Sequence, residues 1–206
     1  EMLDTVWPET ANAGLAWSLY RAGLNGIHSL GGTQRAVDLL LTSTEHATRL
    51  GAAHYLYRTR GLDLSDHTEL LLQQVAAESD PLVQIPLVLA LAKLPGEPTQ
   101  QLLLEQAAQA DDERVRVSAL RSLQAPVSDE ERKAVLELLR TESQQVSMAA
   151  AAYLSRHGGQ FKVEELTTAV AECEDLLVAA SVYQTLLLQD PSQATAVQQA
   201  YEAMNE

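Results

Sequence analysis

The stretch that decides the fold covers residues 111–123, which read Asp-Asp-Glu-Arg-Val-Arg-Val-Ser-Ala-Leu-Arg-Ser-Leu. Behind its acidic start lies a nine-residue frame, Val-Arg-x-x-Ala-x-x-small-Leu, that begins at Val115. The apolar and small positions of this frame recur three or four residues apart, which is the spacing of one face of an α-helix. The stretch therefore predicts an amphipathic helix that begins behind an acidic N-cap.

The same frame recurs along the chain at a nearly constant distance. Its six copies begin at Asn12, Thr48, Val83, Val115, Val146 and Leu176. Successive starts are 36, 35, 32, 31 and 30 residues apart. A period of this length is typical of helical repeats, in which each unit buries its apolar face only by stacking on its neighbours.

A second amphipathic segment lies between most neighbouring copies. These segments are Thr33–Leu41, Asp66–Ala77, Thr99–Ala110, Asp129–Arg140, Val163–Cys173 and Pro191–Met204. The composition supports helices throughout, because 35 Leu and 30 Ala stand against 15 Val and 2 Ile, and Leu and Ala are favourable in helices. The sequence predicts about twelve short helices in antiparallel pairs.

Local signals mark several helix starts. Ser128 with Glu131, and Asp66 with Glu69, have the spacing of a capping box. The dipeptides at 80–81 and 190–191 are both Asp-Pro, which places an acceptor at the N-cap and proline at the first helical position.

This repeat resembles the HEAT-repeat family, and the capped frame at residues 112–123 carries the resemblance best. The resemblance implies an all-α fold, a right-handed α-solenoid of about six HEAT-like helix pairs, with residues 1–206 as a single domain. In that family the frame arginine pairs with acidic caps of neighbouring repeats. Here only Arg49 and Arg116 keep it, whereas Gln84, Ser147 and Leu177 replace it, so we do not expect a continuous charged ladder.

Charge and hydropathy exclude several classes of partner. The chain has 14 basic and 28 acidic side chains and a net charge of −14, which disfavours binding to nucleic acid or an anionic membrane. The longest apolar run, from Ile85 to Ala92, contains Pro86 and is too short to span a bilayer. We expect a soluble protein of the bacterial periplasm or cytoplasm, without membrane insertion.

No group of residues has the spacing of a catalytic or metal site. The five histidines, at 28, 46, 54, 67 and 157, show no ligand pairing. His54, beside Tyr57 and Arg58, is expected to be a partly exposed surface residue. Cys173 has acidic neighbours that oppose thiolate formation, so we expect a packing residue. We therefore predict no catalytic, cofactor-binding or metal-binding residues, no cofactor and no enzymatic activity for this chain.

Two sets of residues are candidates for binding a partner. Tyr55, Tyr153 and Tyr183 share one frame position, where they could line a peptide groove, although packing between repeats is the favoured interpretation. Basic residues cluster near the frame segments, where they fit a face that binds a peptide or a domain; a solvated acidic surface is the equal alternative. These basic residues are Arg49, Arg58, Arg60, Arg114, Arg116 and Arg121.

The architecture favours a non-catalytic protein-interaction or scaffold module. Its partner would be a protein, a peptide or another domain of the same chain. Residues 48–61 with 114–120 also resemble the HEAT-repeat region of bacterial cyclophilin-type peptidyl-prolyl isomerases. That resemblance implies an accessory HEAT arm of such an isomerase, with the catalytic domain outside this chain.

The last segment is expected to be exposed at one end of the stack. Val197, Tyr201 and Met204 recur at helical spacing and need cover, yet no frame copy follows them. We therefore expect an excised segment of a longer protein, in which the helix containing Leu186–Leu188 covers these three residues only in part.

Overall fold

The described chain consists of two alternating kinds of α-helix. The computed structural model describes residues 11–195 and 198–199, and these residues contain no strand. The frame helices, which carry the repeated frame, are α1 (Asn12–Leu24), α3 (His46–Arg58), α5 (Pro81–Ala90), α7 (Glu113–Ser122), α9 (Gln144–His157) and α11 (Leu176–Gln189). The intervening helices are α2 (Leu30–Thr42), α4 (Thr68–Ala77), α6 (Glu97–Gln109), α8 (Asp129–Glu137) and α10 (Val163–Ala171). The predicted all-α fold of alternating helices is confirmed for the described residues.

Two compact units divide the chain, residues 1–103 and residues 104–206. In the first unit α1 packs along α3, and α3 packs along α5. A Cβ atom at Gly51 would lie 3.1 Å from Ala16 Cβ and 3.2 Å from the Trp17 nitrogen. The backbones of α1 and α3 therefore approach so closely that any side chain at residue 51 would require its neighbours to shift.

In the second unit α7 packs along α9, and α9 packs along α11 with α10 beside it. Val115 and Ala119 of the defining stretch are fully buried, so the predicted face of α7 is correct. Tyr153 is also buried, and its hydroxyl donates to Gln124 O at 2.6 Å. Gly158 at the end of α9 faces Thr185 of α11, where a Cβ atom would clash with the threonine methyl group.

Most of the predicted caps are present. Asp80 accepts a hydrogen bond from the Leu82 N–H at 3.0 Å, and Asp190 accepts from the Ser192 N–H. The same arrangement recurs at the starts of α7 and α11, where Asp112 and Asp175 cap the helix.

Two predicted capping boxes are corrected. Ser128 accepts from the Glu131 N–H, but the Glu131 carboxylate accepts from the Val127 N–H rather than from that of Ser128. Asp66 lies inside a 3-10 turn at Ser65–His67, and Asp63 accepts the Ser65 N–H instead. The helix that follows begins only at Thr68.

The predicted segment Pro191–Met204 is described only in part. Pro191–Gln193 form a 3-10 turn, and Val197, Tyr201 and Met204 lie outside the described residues. The expectations about how these three residues are covered, and about an excised end, stay predictions.

The N-terminal ends of neighbouring frame helices are linked by polar side chains. Arg49 Nε donates to Glu78 Oε2 at 3.3 Å, and His46 Nδ1 lies 2.5 Å from Asp80 Oδ2. In the second unit Gln144 Nε2 donates to Asp175 Oδ2 at 2.8 Å. These links differ in chemistry from one helix to the next, so no continuous arginine ladder runs through either unit's described residues.

The C-terminal ends are linked as well. Lys93 Nζ donates to Leu56 O at 2.5 Å and to Thr59 O at 2.7 Å, at the end of α3. Arg156 donates to Leu120 O at 3.1 Å and to Arg121 O at 3.3 Å, at the end of α7. These donors satisfy carbonyl groups that have no partner within their own helix.

Ala119→Glu should destabilise the second unit. The Ala119 side chain is fully buried, and an unpaired carboxylate there has no counter-ion, so we expect a loss of roughly 3 kcal/mol or more in the free energy of unfolding. Urea denaturation followed by circular dichroism measures this change. Ala108→Glu, on the exposed surface of α6, is the control. Equal stability of the two variants would contradict the assigned face of α7.

Lys93→Met should destabilise the first unit and change its pH dependence. Burial lowers the pKa of Lys93 from 10.5 to about 8. Between these two pH values the unfolded chain binds a proton that the folded chain lacks, so the stability of the wild type relative to the variant should rise with pH. At neutral pH the variant loses two charge-assisted hydrogen bonds, a cost of about 1.5–3 kcal/mol.

Urea denaturation across this pH range measures both effects. Lys133→Met, which removes an exposed lysine of α8, is the control. A Lys93→Met profile parallel to that of the wild type would show that Lys93 is not buried in solution.

Candidate functional site

Charged residues divide unequally between the two kinds of helix. Within the described helices, the frame helices carry seven arginines and one carboxylate, that of Glu113. The intervening helices carry ten carboxylates and three basic residues. Beyond their acidic N-caps, Glu45, Asp80, Asp112 and Asp175, the frame helices are therefore basic in a chain whose net charge is −14.

Three of the predicted arginines serve the fold. Arg49 pairs with the buried Glu78, and Arg116 Nε donates to Ala107 O at 3.0 Å. Arg114 pairs with Asp112, the cap of its own helix, at 2.7 Å. These side chains stabilise local structure.

The other three predicted arginines are exposed. Arg58 lies at the end of α3 with its guanidinium carbon 5.6 Å from the centre of the Tyr57 ring. Arg60 follows in the turn after α3, and Arg121 lies in the last turn of α7. Their charges are available to an incoming anionic group.

A groove of about 520 Å³ runs between α7 and α9. We call it the arginine groove, and its lining residues are Val117, Arg121, Gln145, Met148, Ala149, Ala152 and Arg156. Its floor is apolar. Its two cationic side chains, Arg121 and Arg156, lie at the C-terminal ends of α7 and α9. Arg156 is held in place by its backbone hydrogen bonds and by the Tyr153 ring, 5.8 Å from its guanidinium carbon.

A cluster of rings lies on the outer side of α1 and α3. We call it the aromatic patch, and it consists of Trp17, Tyr20, His54, Tyr57 and Arg58. The Trp17 and Tyr20 rings meet edge to face with centres 5.5 Å apart. The His54 ring lies 6.0 Å from Trp17 and 5.5 Å from Tyr20. Trp17 and Tyr20 were not recognised as site residues from the sequence.

His54 is partly exposed, as predicted, but one of its ring nitrogens is enclosed. Its Nδ1 atom is buried and makes no hydrogen bond. Burial lowers the pKa of His54 below 6.5, and the nearby Arg58 lowers it further. The imidazole is therefore a neutral member of the ring cluster at neutral pH.

The remaining candidate residues belong to the core. Tyr55, Tyr153 and Tyr183 are at most 7% exposed, which supports packing between repeats rather than a groove lined by all three tyrosines. Cys173 is buried, and burial raises the pKa of its thiol. Among the described residues, no three His, Cys, Asp or Glu side chains are grouped as metal ligands.

One structural finding bears on the expectation that the chain does not insert into a membrane. In residues 11–195 and 198–199, no helix combines the length and the apolar character needed to cross a bilayer.

One family model matches part of the chain. Residues 101–187, from α6 to α11, match the family model of HEAT repeats. This match confirms the predicted resemblance to HEAT-repeat proteins over that segment. No curated protein and no solved structure matches the chain, so the narrower resemblance to cyclophilin-type isomerases stays a prediction.

His54→Gln should reduce the loss of stability in acid. Because the pKa of His54 is lowered from 6.5, the unfolded chain takes up a proton more readily than the folded chain as the pH falls below that value. The stability of the wild type relative to the variant should therefore decrease as the pH falls. Thermal unfolding at neutral and mildly acidic pH measures this difference. His28→Gln, at an exposed position, is the control, and identical pH profiles for both variants would contradict the enclosed position of His54.

Proposed function

We propose that this chain is a non-catalytic protein-interaction module whose frame helices bind acidic segments of a partner protein. The observation that carries the proposal is the division of charge between frame and intervening helices. The HEAT-repeat match supports the coarser part, because helical repeats of this kind commonly mediate protein interactions.

The arginine groove has the chemistry that an acidic segment requires. Val117, Met148 and the two alanines offer an apolar floor, while Arg121 and Arg156 can pair with carboxylates. Arg156 is already ordered by Leu120 O and Arg121 O, so binding costs little additional side-chain entropy for this residue. An acidic segment with apolar side chains fits this combination.

The acidic intervening helices contribute to selectivity. Ten carboxylates on those helices repel an acidic ligand from the rest of the surface, and the frame helices attract it. Complementary charge of this kind raises the association rate and suppresses wrong partners. Nucleic acid is disfavoured, because a net charge of −14 opposes a continuous polyanion.

Arg121→Glu should weaken the binding of acidic peptides. An array of short peptides, in which acidic and apolar content vary independently, first selects the probe, and fluorescence anisotropy then gives its Kd. Because the substitution replaces attraction by repulsion at the groove, we expect a loss of about tenfold or more in affinity.

Lys133→Glu is the matched control, since it makes the same change of charge on the exposed surface of intervening helix α8. Its affinity should stay close to that of the wild type. Equal losses in both variants would show that only net charge matters, and a wild-type chain that retains no acidic peptide would overturn the proposal.

A further inference from the structure

The partly exposed aromatic residues of the described chain all lie on α1 and α3. Trp17, Tyr20 and Tyr57 belong to the aromatic patch on α1 and α3 and are only partly covered. The other four aromatic side chains in residues 11–195 are at most 7% exposed; these are Tyr55, Tyr153, Phe161 and Tyr183. Burial in the core therefore explains the positions of these four rings, but not the positions of the rings in the patch.

The base beneath these rings is rigid. The backbones of α1 and α3 meet at Gly51 and Ala16, and Ala52 and Ala53 are fully buried below the patch. Rings fixed on a closely packed pair of helices lose little conformational freedom when a ligand binds.

The charged side chains within the bounds of α1 and α3 are all basic, although α3 begins behind Glu45. Helices α1, α3 and α5 contain no carboxylate. Arg21, Arg58 and Arg60 are exposed there, and none of the three forms an ion pair with a described residue. A carboxylate at this surface would find a counter-ion in the exposed Arg58.

We infer that the aromatic patch is a second docking site, and that it binds an acidic segment of a partner protein through an aromatic side chain. The ligand ring packs against Trp17 and Tyr20, in the edge-to-face geometry these two rings already adopt. A carboxylate next to that ring pairs with Arg58, which lies over Tyr57. The inference rests on the proposed function, since it assigns a second site and a more specific ligand to the frame helices.

Trp17 itself provides a measurement. The chain has two tryptophans, so Trp7→Phe leaves Trp17 as the only one. Four peptides that contain no tryptophan serve as probes: one with Glu and Phe, one with Gln in place of Glu, one with Ala in place of Phe, and one with Lys in place of Glu. Titration of Trp17 emission gives the affinity for each peptide.

We expect the peptide with Glu and Phe to change the emission saturably and to bind about tenfold more tightly than the other three, since each of these lacks one contact. Arg58→Gln should remove the preference for Glu over Gln. Gln101→Glu makes the same one-unit change of charge at an exposed position on α6 and should keep the preference.

The outcomes separate this inference from the proposed function. If no peptide changes the Trp17 emission, or if the Lys or Gln peptide binds as well as the Glu peptide, the assigned site is wrong. Equal effects of Arg58→Gln and Gln101→Glu would also overturn it. Arg121→Glu against Lys133→Glu, measured by anisotropy, tests the arginine groove independently, so failure of the aromatic patch leaves the proposed function standing.

Discussion

The stacking of frame helices depends on satisfying the polar groups at their ends. A helix leaves its first N–H groups and its last C=O groups without partners in its own backbone, and packing one frame helix along the next shields those ends from water. In this chain the neighbouring frame helix, or the turn that directly follows it, supplies part of what is missing. Lys93 reaches the last carbonyls of α3, and Arg156 reaches those of α7.

This arrangement explains why the side chains in the middle of a frame helix can be so small. The polar groups at the helix ends fix how two frame helices align along each other. The contact between the helix centres therefore needs only complementary shape, and Ala and Gly let the two backbones approach most closely. Gly51 against Ala16 is the tightest example. Close approach also directs large side chains outward or into the layer beneath, which places Tyr55 in the core and Trp17 at the surface.

The sequence predicts the parts of this structure that follow from local periodicity. All six frame helices begin within two residues of the predicted copies, because apolar spacing and an acidic cap act over a single helix. The capping boxes at Ser128 and Asp66 are wrong in detail, since the choice among nearby N–H groups depends on turn geometry that the spacing does not reveal.

The candidate sites were harder to predict, because they combine residues of different helices. Trp17 and His54 are 37 positions apart in sequence, and nothing in either segment alone indicates that their rings meet. Arg156 was missed because its copy of the frame departs from the arginine position and places the cation in the last turn instead. A count of carboxylates for each predicted helix would have revealed the basic frame helices from the sequence alone.

That count also bears on why the charges are arranged as they are. The fold needs Arg49, Arg116 and Arg156 for specific contacts, but it needs no particular charge at the exposed Arg21, Arg58 or Arg121. Carboxylates in place of these exposed arginines would keep the protein equally soluble and would change its free energy of unfolding little. A chain with 28 acidic side chains nevertheless places one of them on its described frame helices. Capping accounts for the carboxylates at the helix starts, and the proposed binding of acidic segments would account for their scarcity along the rest of the frame helices.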